Sequence, residues 1–161
     1  MDRLWSPWRY RYIASAREIT GCIFCEKAAA NEDEANFIVH RGQFNFAILN
    51  AFPYTSGHLM VAPYQHVRWL EDAHADVASE MMLLTRRAQA LLRSLYRSDG
   101  INLGMNLGEA AGAGIVGHIH MHVLPRWVGD ANFMTTVGET RVLPEELSVT
   151  YQKLRGADWK A

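Results

Sequence analysis

Residues 118–123 read His118-Ile119-His120-Met121-His122-Val123, with Gly117 ahead and Leu124-Pro125-Arg126-Trp127 behind. Histidines stand at i, i+2 and i+4, with single apolar residues between them. In an extended strand successive side chains point to opposite faces. The spacing therefore predicts a strand with three imidazoles on one face and Ile119, Met121 and Val123 on the other. Same-face neighbours on such a strand stand roughly 6.5–7 Å apart. Imidazole has the ordinary pKa nearest neutrality, which suits nucleophile, acid/base and metal-ligand roles alike. The bland alternative is a histidine-rich surface strand. The glycines upstream and the Pro125-Arg126-Trp127 stop downstream argue against it.

Immediately upstream lies Gly108-Glu109-Ala110-Ala111-Gly112-Ala113-Gly114-Ile115-Val116-Gly117. Glycines at 108, 112, 114 and 117 allow backbone N–H groups to approach an anion closely, as in a phosphate-binding nest. Glycine-rich hairpin loops are common, so the loop gains meaning from the histidines that follow it. Further back, Ile101, Leu103, Met105 and Leu107 alternate with Asn102, Gly104 and Asn106, a half-buried strand. Val77, Met81, Leu84, Ala88, Leu91 and Leu95 recur at steps of three and four and form the core stripe of a long helix. Asp76 is its expected N-cap and Asp99-Gly100 its stop.

Phe37-Ile38-Val39, Phe44–Leu49 and His58–Ala62 read as strands, the last stopped by Pro63. Residues 50–57 are turn-rich. A short helix is expected from about Pro144, with Leu147, Tyr151 and Leu154 on one face. Strands joined by tight loops around one long helix imply an α+β fold with a mainly antiparallel sheet. The first residues mix Trp5, Trp8, Tyr10 and Tyr12 with arginines and read as an arm docked on the body or on a second subunit. His40 and His74 read as ordinary surface histidines.

A chain of 161 residues fits one domain with a real core. The formal net charge of −1 provides no global basic field for nucleic acid or an anionic membrane. No apolar run approaches the about 18 residues a membrane helix needs. Met1-Asp2-Arg3 is followed by tryptophans and charges rather than a signal-peptide core. The expected location is cytoplasmic. In that setting Cys22 and Cys25, the only cysteines, are a metal or redox pair rather than a structural disulfide. Cys-x-x-Cys is half of a tetrahedral zinc site. A redox pair lacks its βαβ context here, and two inert thiols are the remaining alternative.

Taken together, Gly117-His118-Ile119-His120-Met121-His122-Val123-Leu124-Pro125-Arg126 resembles the signature of the histidine-triad nucleotide hydrolase and transferase family. Phe46–Asn50 and Gly57–Pro63 resemble that family's nucleoside-binding strand and turn. Asn106–Gly114 resembles its phosphate loop. Leu4-Trp5-Ser6-Pro7-Trp8-Arg9 and Gly129-Asp130-Ala131-Asn132-Phe133 resemble its bacterial diadenosine tetraphosphate phosphorylase-like branch.

The resemblance implies a five-stranded, mainly antiparallel sheet with one long and one or two short helices. It implies an aromatic and basic arm over 1–20, the triad domain over 21–135 and a helical extension over 136–161. It implies attack on the α-phosphorus of a dinucleoside polyphosphate or related nucleotide, through a nucleotidyl-histidine. His120 would be the nucleophile, with His122 and His58 beside the phosphate. Asn50 would hold the ribose and Asn106 would face the scissile phosphate, with Gly112 and Gly114 in the loop. Phe37, Phe46 and Leu49 would form the base pocket. Cys22, Cys25, His66 and His118 would hold a structural zinc ion, and the protein would be a homodimer acting on adenine nucleotides.

The chemistry stands on its own terms as well. A neutral imidazole is a good nucleophile at neutral pH, and a covalent intermediate splits one displacement into two. Loop N–H groups and a protonated neighbour such as His122 would stabilise the developing charge. One departure is visible: many members carry Gln or Ser four residues before the first histidine, where this chain has Gly114. Adenosine phosphoramidase or dinucleoside polyphosphate hydrolase activity is the alternative within the family. Two rivals of other classes are a catalytic metal held jointly by His118, His120 and His122, and a non-catalytic nucleotide-binding module. Three same-face positions span about 13 Å, too far for one ion.

Overall fold

The computed structural model describes residues 21–131 and 145–159. The expected N-terminal arm lies outside them, as do Asn132 and Phe133 and the start of the C-terminal extension. The chain runs from a short helix α1 (Ile23–Ala29) through a helical turn α2 (Asp33–Asn36) into strands β1 (Ile38–Arg41), β2 (Asn45–Leu49) and β3 (Leu59–Pro63). The long helix α3 (Ala75–Tyr96), strands β4 (Gly100–Gly104) and β5 (Met121–Arg126), and helix α4 (Leu147–Arg155) follow. The five strands form one antiparallel sheet in the order β1-β2-β3-β5-β4. The expected α+β architecture is what the chain adopts.

Both faces of the sheet centre are covered, so β2 and β3 are buried along their whole length and read as continuous apolar runs. Ala47, Leu49, Leu59 and Val123 pack against Ala88, Leu91 and Leu92 of α3, with Tyr151 and Leu154 of α4 completing this layer. Val61 and Ile119 meet Met81 and Leu84 nearer the start of α3. Phe46, Ile48, Met60 and Ala62 pack on Phe24 of α1 from the other side. Met60 pairs with His122 and Leu59 with Val123, so the histidines share the α1 face and Ile119 and Val123 the α3 face.

Several boundaries differ from the sequence reading. The strand carrying the histidines begins at Met121, so His118 and His120 lie in the extended approach to it. Phe37 is not a strand residue; it caps α2 in the left-handed region at φ 58°. The N-cap of α3 is His74, and Asp76 sits in the first turn, where a carboxylate faces the positive end of the helix dipole. Arg97, at φ 47°, ends α3 before Asp99 and Gly100 are reached, and Gly100 already belongs to β4. Leu95 is exposed, while Thr85 and Leu92 join the buried stripe. Strand β4 ends at Gly104. As an edge strand it leaves Leu103 exposed, while Met105 and Leu107 pack on the Val61 cluster. His40 is no free surface histidine, because its ring stacks on Trp159 at 4.9 Å.

Candidate active site

The turn before β3 places the first site residue. Gly57 has φ 80°, and a Cβ there would lie 3.1 Å from Leu92 and 3.3 Å from Pro125. Only glycine satisfies both the backbone and the packing, and the turn delivers His58 to the α1 face of the sheet. His58 Nδ1 accepts the backbone N–H of Tyr54 at 3.1 Å, so its proton resides on Nε2. Nε2 then donates to His122 Nδ1 at 2.9 Å. That leaves the Nε2–H of His122 free to donate to a ligand. Asn50, at the end of β2, accepts the N–H of Phe52 through Oδ1 at 2.9 Å and approaches His58 Nδ1 through Nδ2.

His120 is fixed by a similar argument. Its Nδ1 lies 3.0 Å from the carbonyl oxygen of His118, and a carbonyl can only accept. The Nδ1 therefore carries the proton and Nε2 keeps its lone pair, the form a nucleophile requires. Burial holds the His120 imidazole below its ordinary pKa. Burial, then the neighbouring histidines, bring His58 to about 3, and burial with His120 brings His122 to about 4. All three rings are neutral at pH 7, so His122 is not the protonated neighbour the sequence implies, because burial disfavours its charged form; it can act only as a neutral N–H donor. The His120 and His122 ring centroids are 4.8 Å apart, and Phe24 packs on His120 at 4.9 Å.

His120 and His122 open onto a cavity of about 450 Å³. Ile23, Phe24, Lys27, Ile48 and Leu49 form one wall, and Asn50, Phe52 and Tyr54 border it. The loop contributes Asn106, Glu109 and Gly112–Val116. An apolar slot, an amide at its border and a glycine loop beside a neutral imidazole can hold a base, a sugar and a phosphate respectively. The structure thus brings His120, His122, Asn50, Asn106, Gly112, Gly114 and Leu49 together, with His58 directly behind His122. Phe46 is not part of this wall: it is fully buried, edge-on to Phe24 and stacked on Tyr64. Phe37 packs against Tyr151 on the other side of the sheet. The sequence reading missed Ile23, Phe24 and Lys27, whose i, i+1, i+4 spacing puts them on one face of α1.

His118 turns to different partners. Its Nε2 donates to the carbonyl of Pro63 at 2.9 Å, which leaves the Nδ1 lone pair facing Cys22 Sγ at 3.2 Å and Cys25 Sγ at 3.6 Å. His66 Nδ1 is 3.3 Å from Cys25 Sγ. The four donor atoms lie within 4.8 Å of one another and form a possible metal site. Ligands on a tetrahedral zinc ion, at about 2.3 Å for sulfur and 2.0–2.1 Å for nitrogen, stand roughly 3.5 Å apart, which these separations fit. Among the described residues, His118, His120 and His122 do not form a joint metal group. The shared-metal rival loses its geometric basis, because His118 faces the cysteines and His122 faces His58.

Comparison with known proteins identifies relatives of this chain. The HIT domain matches residues 30–128. The AP-4-A phosphorylase of Mycobacterium tuberculosis is 39% identical over 167 residues, covering 99% of this chain and 85% of that protein. An uncharacterized HIT-like protein of Saccharolobus solfataricus is 30% identical over 113 residues, 70% of this chain and 79% of that one. A Zn-bound histidine triad family protein from Mycobacterium smegmatis, known from a crystal structure, superposes with a TM-score of 0.68 at 26% identity, covering 84% of this chain and 91% of its own. The chain belongs to the HIT domain family.

Proposed function

We propose that this chain is a diadenosine tetraphosphate phosphorylase-like enzyme working through a nucleotidyl-histidine. As a HIT protein 39% identical to a phosphorylase over nearly its whole length, it is a nucleotidyl hydrolase or transferase. The observation that carries the finer reading is the His120 Nδ1–H held by the His118 carbonyl, which leaves Nε2 as an unprotonated nucleophile facing the cavity. Nε2 attacks the α-phosphorus of the bound nucleotide. The P–N bond forms as the bond to the bridging oxygen breaks, and ATP departs. Inorganic phosphate then attacks the same phosphorus, the P–N bond breaks, and ADP leaves with the nucleoside half.

Each neighbour has a role in this sequence. The His122 Nε2–H, aligned by His58, donates to a non-bridging oxygen as charge develops there. Asn106 and the loop N–H groups around Gly112 and Gly114 take the remaining oxygens. Asn50 holds the ribose, and the slot of Ile23, Phe24, Ile48 and Leu49 takes the base. With Gly114 lacking a side chain, the leaving oxygen depends on backbone and solvent donors. An assay of diadenosine tetraphosphate turnover with and without phosphate tests the reading: ADP plus ATP marks a phosphorylase, whereas AMP marks the hydrolase alternative.

Cys22, Cys25, His66 and His118 would hold a structural zinc ion, closed to substrate by four protein ligands. Bound there, zinc would cross-link α1 to the segment that carries His120 and fix His118, whose carbonyl sets the His120 tautomer. A homodimer is supported by the edge position of β4 and by exposed Met82, Leu83, Leu95 and Leu103 on α3 and β4. A cytoplasmic location fits the pair of free thiols. Among the described residues no helix is long and apolar enough to cross a membrane.

A further inference from the structure

A second cavity, of about 500 Å³, lies beyond the phosphate loop and is lined by Arg68, Trp69, Leu107, Gly108, Glu109 and Ala110. It shares Glu109 with the catalytic cavity, and Leu107 directly follows Asn106 of that cavity. The two cavities thus adjoin at Glu109 of the loop. Trp69 closes against it. Gly108 has φ 84°, and a Cβ there would come within 3.1 Å of the Trp69 ring. The tryptophan nevertheless remains 37% exposed. The Arg68 guanidinium lies 4.9 Å from the Trp69 ring centroid.

An exposed indole beside a guanidinium, opening into a cavity, is a surface for stacking a base and pairing phosphate charge. The first cavity's slot takes one nucleoside, and nothing in the mechanism occupies this second one. We propose that the Arg68–Trp69 cavity binds the second nucleoside of a dinucleoside polyphosphate, the half that departs. The polyphosphate crosses the loop, Arg68 meets its distal phosphates and Trp69 stacks the outer base. Glu109 offers an acceptor to a ribose hydroxyl or an exocyclic amine. The openness of the site suits a product that must leave. This inference rests on the phosphorylase reading.

The test compares diadenosine tetraphosphate with adenosine 5′-tetraphosphate, which has the same phosphates and no second nucleoside. Wild type should favour the dinucleotide in kcat/KM. In Trp69→Leu the ratio of the two kcat/KM values should fall about tenfold, the size of one base–aromatic stack. Trp69→Phe should restore it, and Arg68→Gln should lower it in the same direction. If Trp69 serves only to brace Gly108, both substrates lose equally and the ratio stays at the wild-type value; that result overturns the subsite. A wild type inactive on both substrates contradicts the phosphorylase reading itself and takes the subsite with it.

Discussion

The Nδ1 of His120 lies 3.0 Å from the carbonyl oxygen of His118, two residues earlier in the chain. One backbone group thereby decides which nitrogen of His120 keeps its lone pair. His118 is itself held between Pro63 on one side and the two cysteines on the other. The Cys22, Cys25, His66 and His118 cluster and the His120 lone pair are therefore joined by a single residue.

That link predicts how zinc and activity depend on each other. The purified protein should carry about one zinc per chain, consistent with a four-ligand structural site. Cys22→Ser combined with Cys25→Ser should abolish it, lowering stability by several kcal/mol because binding is coupled to folding. Elemental analysis and denaturant unfolding check both. Zinc retained in the double variant would reject these ligands.

Acid should destabilise the fold through His58 and His122. Both are depressed, to about 3 and about 4, from an ordinary value near 6.5. Below pH 6.5 the unfolded chain takes up protons that the folded chain refuses. Stability is therefore full above that pH and declines as pH falls toward the folded values. Each group contributes a slope of about 1.4 kcal/mol per pH unit in that window. Unfolding free energies at pH 7 and pH 5 should differ by a few kcal/mol, and His58→Gln should make the slope shallower. A flat profile would contradict the buried, neutral pair.

Removing His58 should slow the reaction without removing it. His58→Ala removes the donor to His122 Nδ1, so His122 no longer presents a defined Nε2–H. The rate should fall by about 10²-fold, in the range of losing one transition-state donor. The KM for nucleotide should change little. A variant with wild-type kcat would show that His122 needs no alignment.

The dimer should depend on β4 and the exposed residues of α3. Leu103→Asp combined with Leu83→Asp should convert a dimer to a monomer by light scattering at micromolar concentration. A wild-type monomer would contradict the assignment of this face.

Local pattern reveals much of this architecture. The period-two spacing of His118, His120 and His122 correctly puts them on one face, and the α3 stripe is legible at its centre. Its ends are not: Arg97 stops the helix by adopting a left-handed backbone that no propensity marks, and His74 caps it with no side-chain bond. Phe46 reads as a base-pocket residue yet is buried against Phe24 and Tyr64, because β2 is covered on both faces, where apolar character no longer distinguishes core from cavity wall. The stack of His40 on Trp159 and the contact of Trp69 with Gly108 join distant segments, which a single sequence does not pair. The Cys22, Cys25, His66 and His118 set was accessible only through the family resemblance, since nothing local links His66 to the cysteines.

The central claim is a covalent bond between His120 Nε2 and the α-phosphorus. Rapid quench of the wild-type protein with α-labelled diadenosine tetraphosphate should trap an acid-labile, labelled phosphoramide on the chain. His120→Ala should trap none, should still bind nucleotide, and should turn over several orders of magnitude more slowly. A His120→Ala protein that retains wild-type turnover would contradict the assignment, whichever acceptor releases the nucleotide.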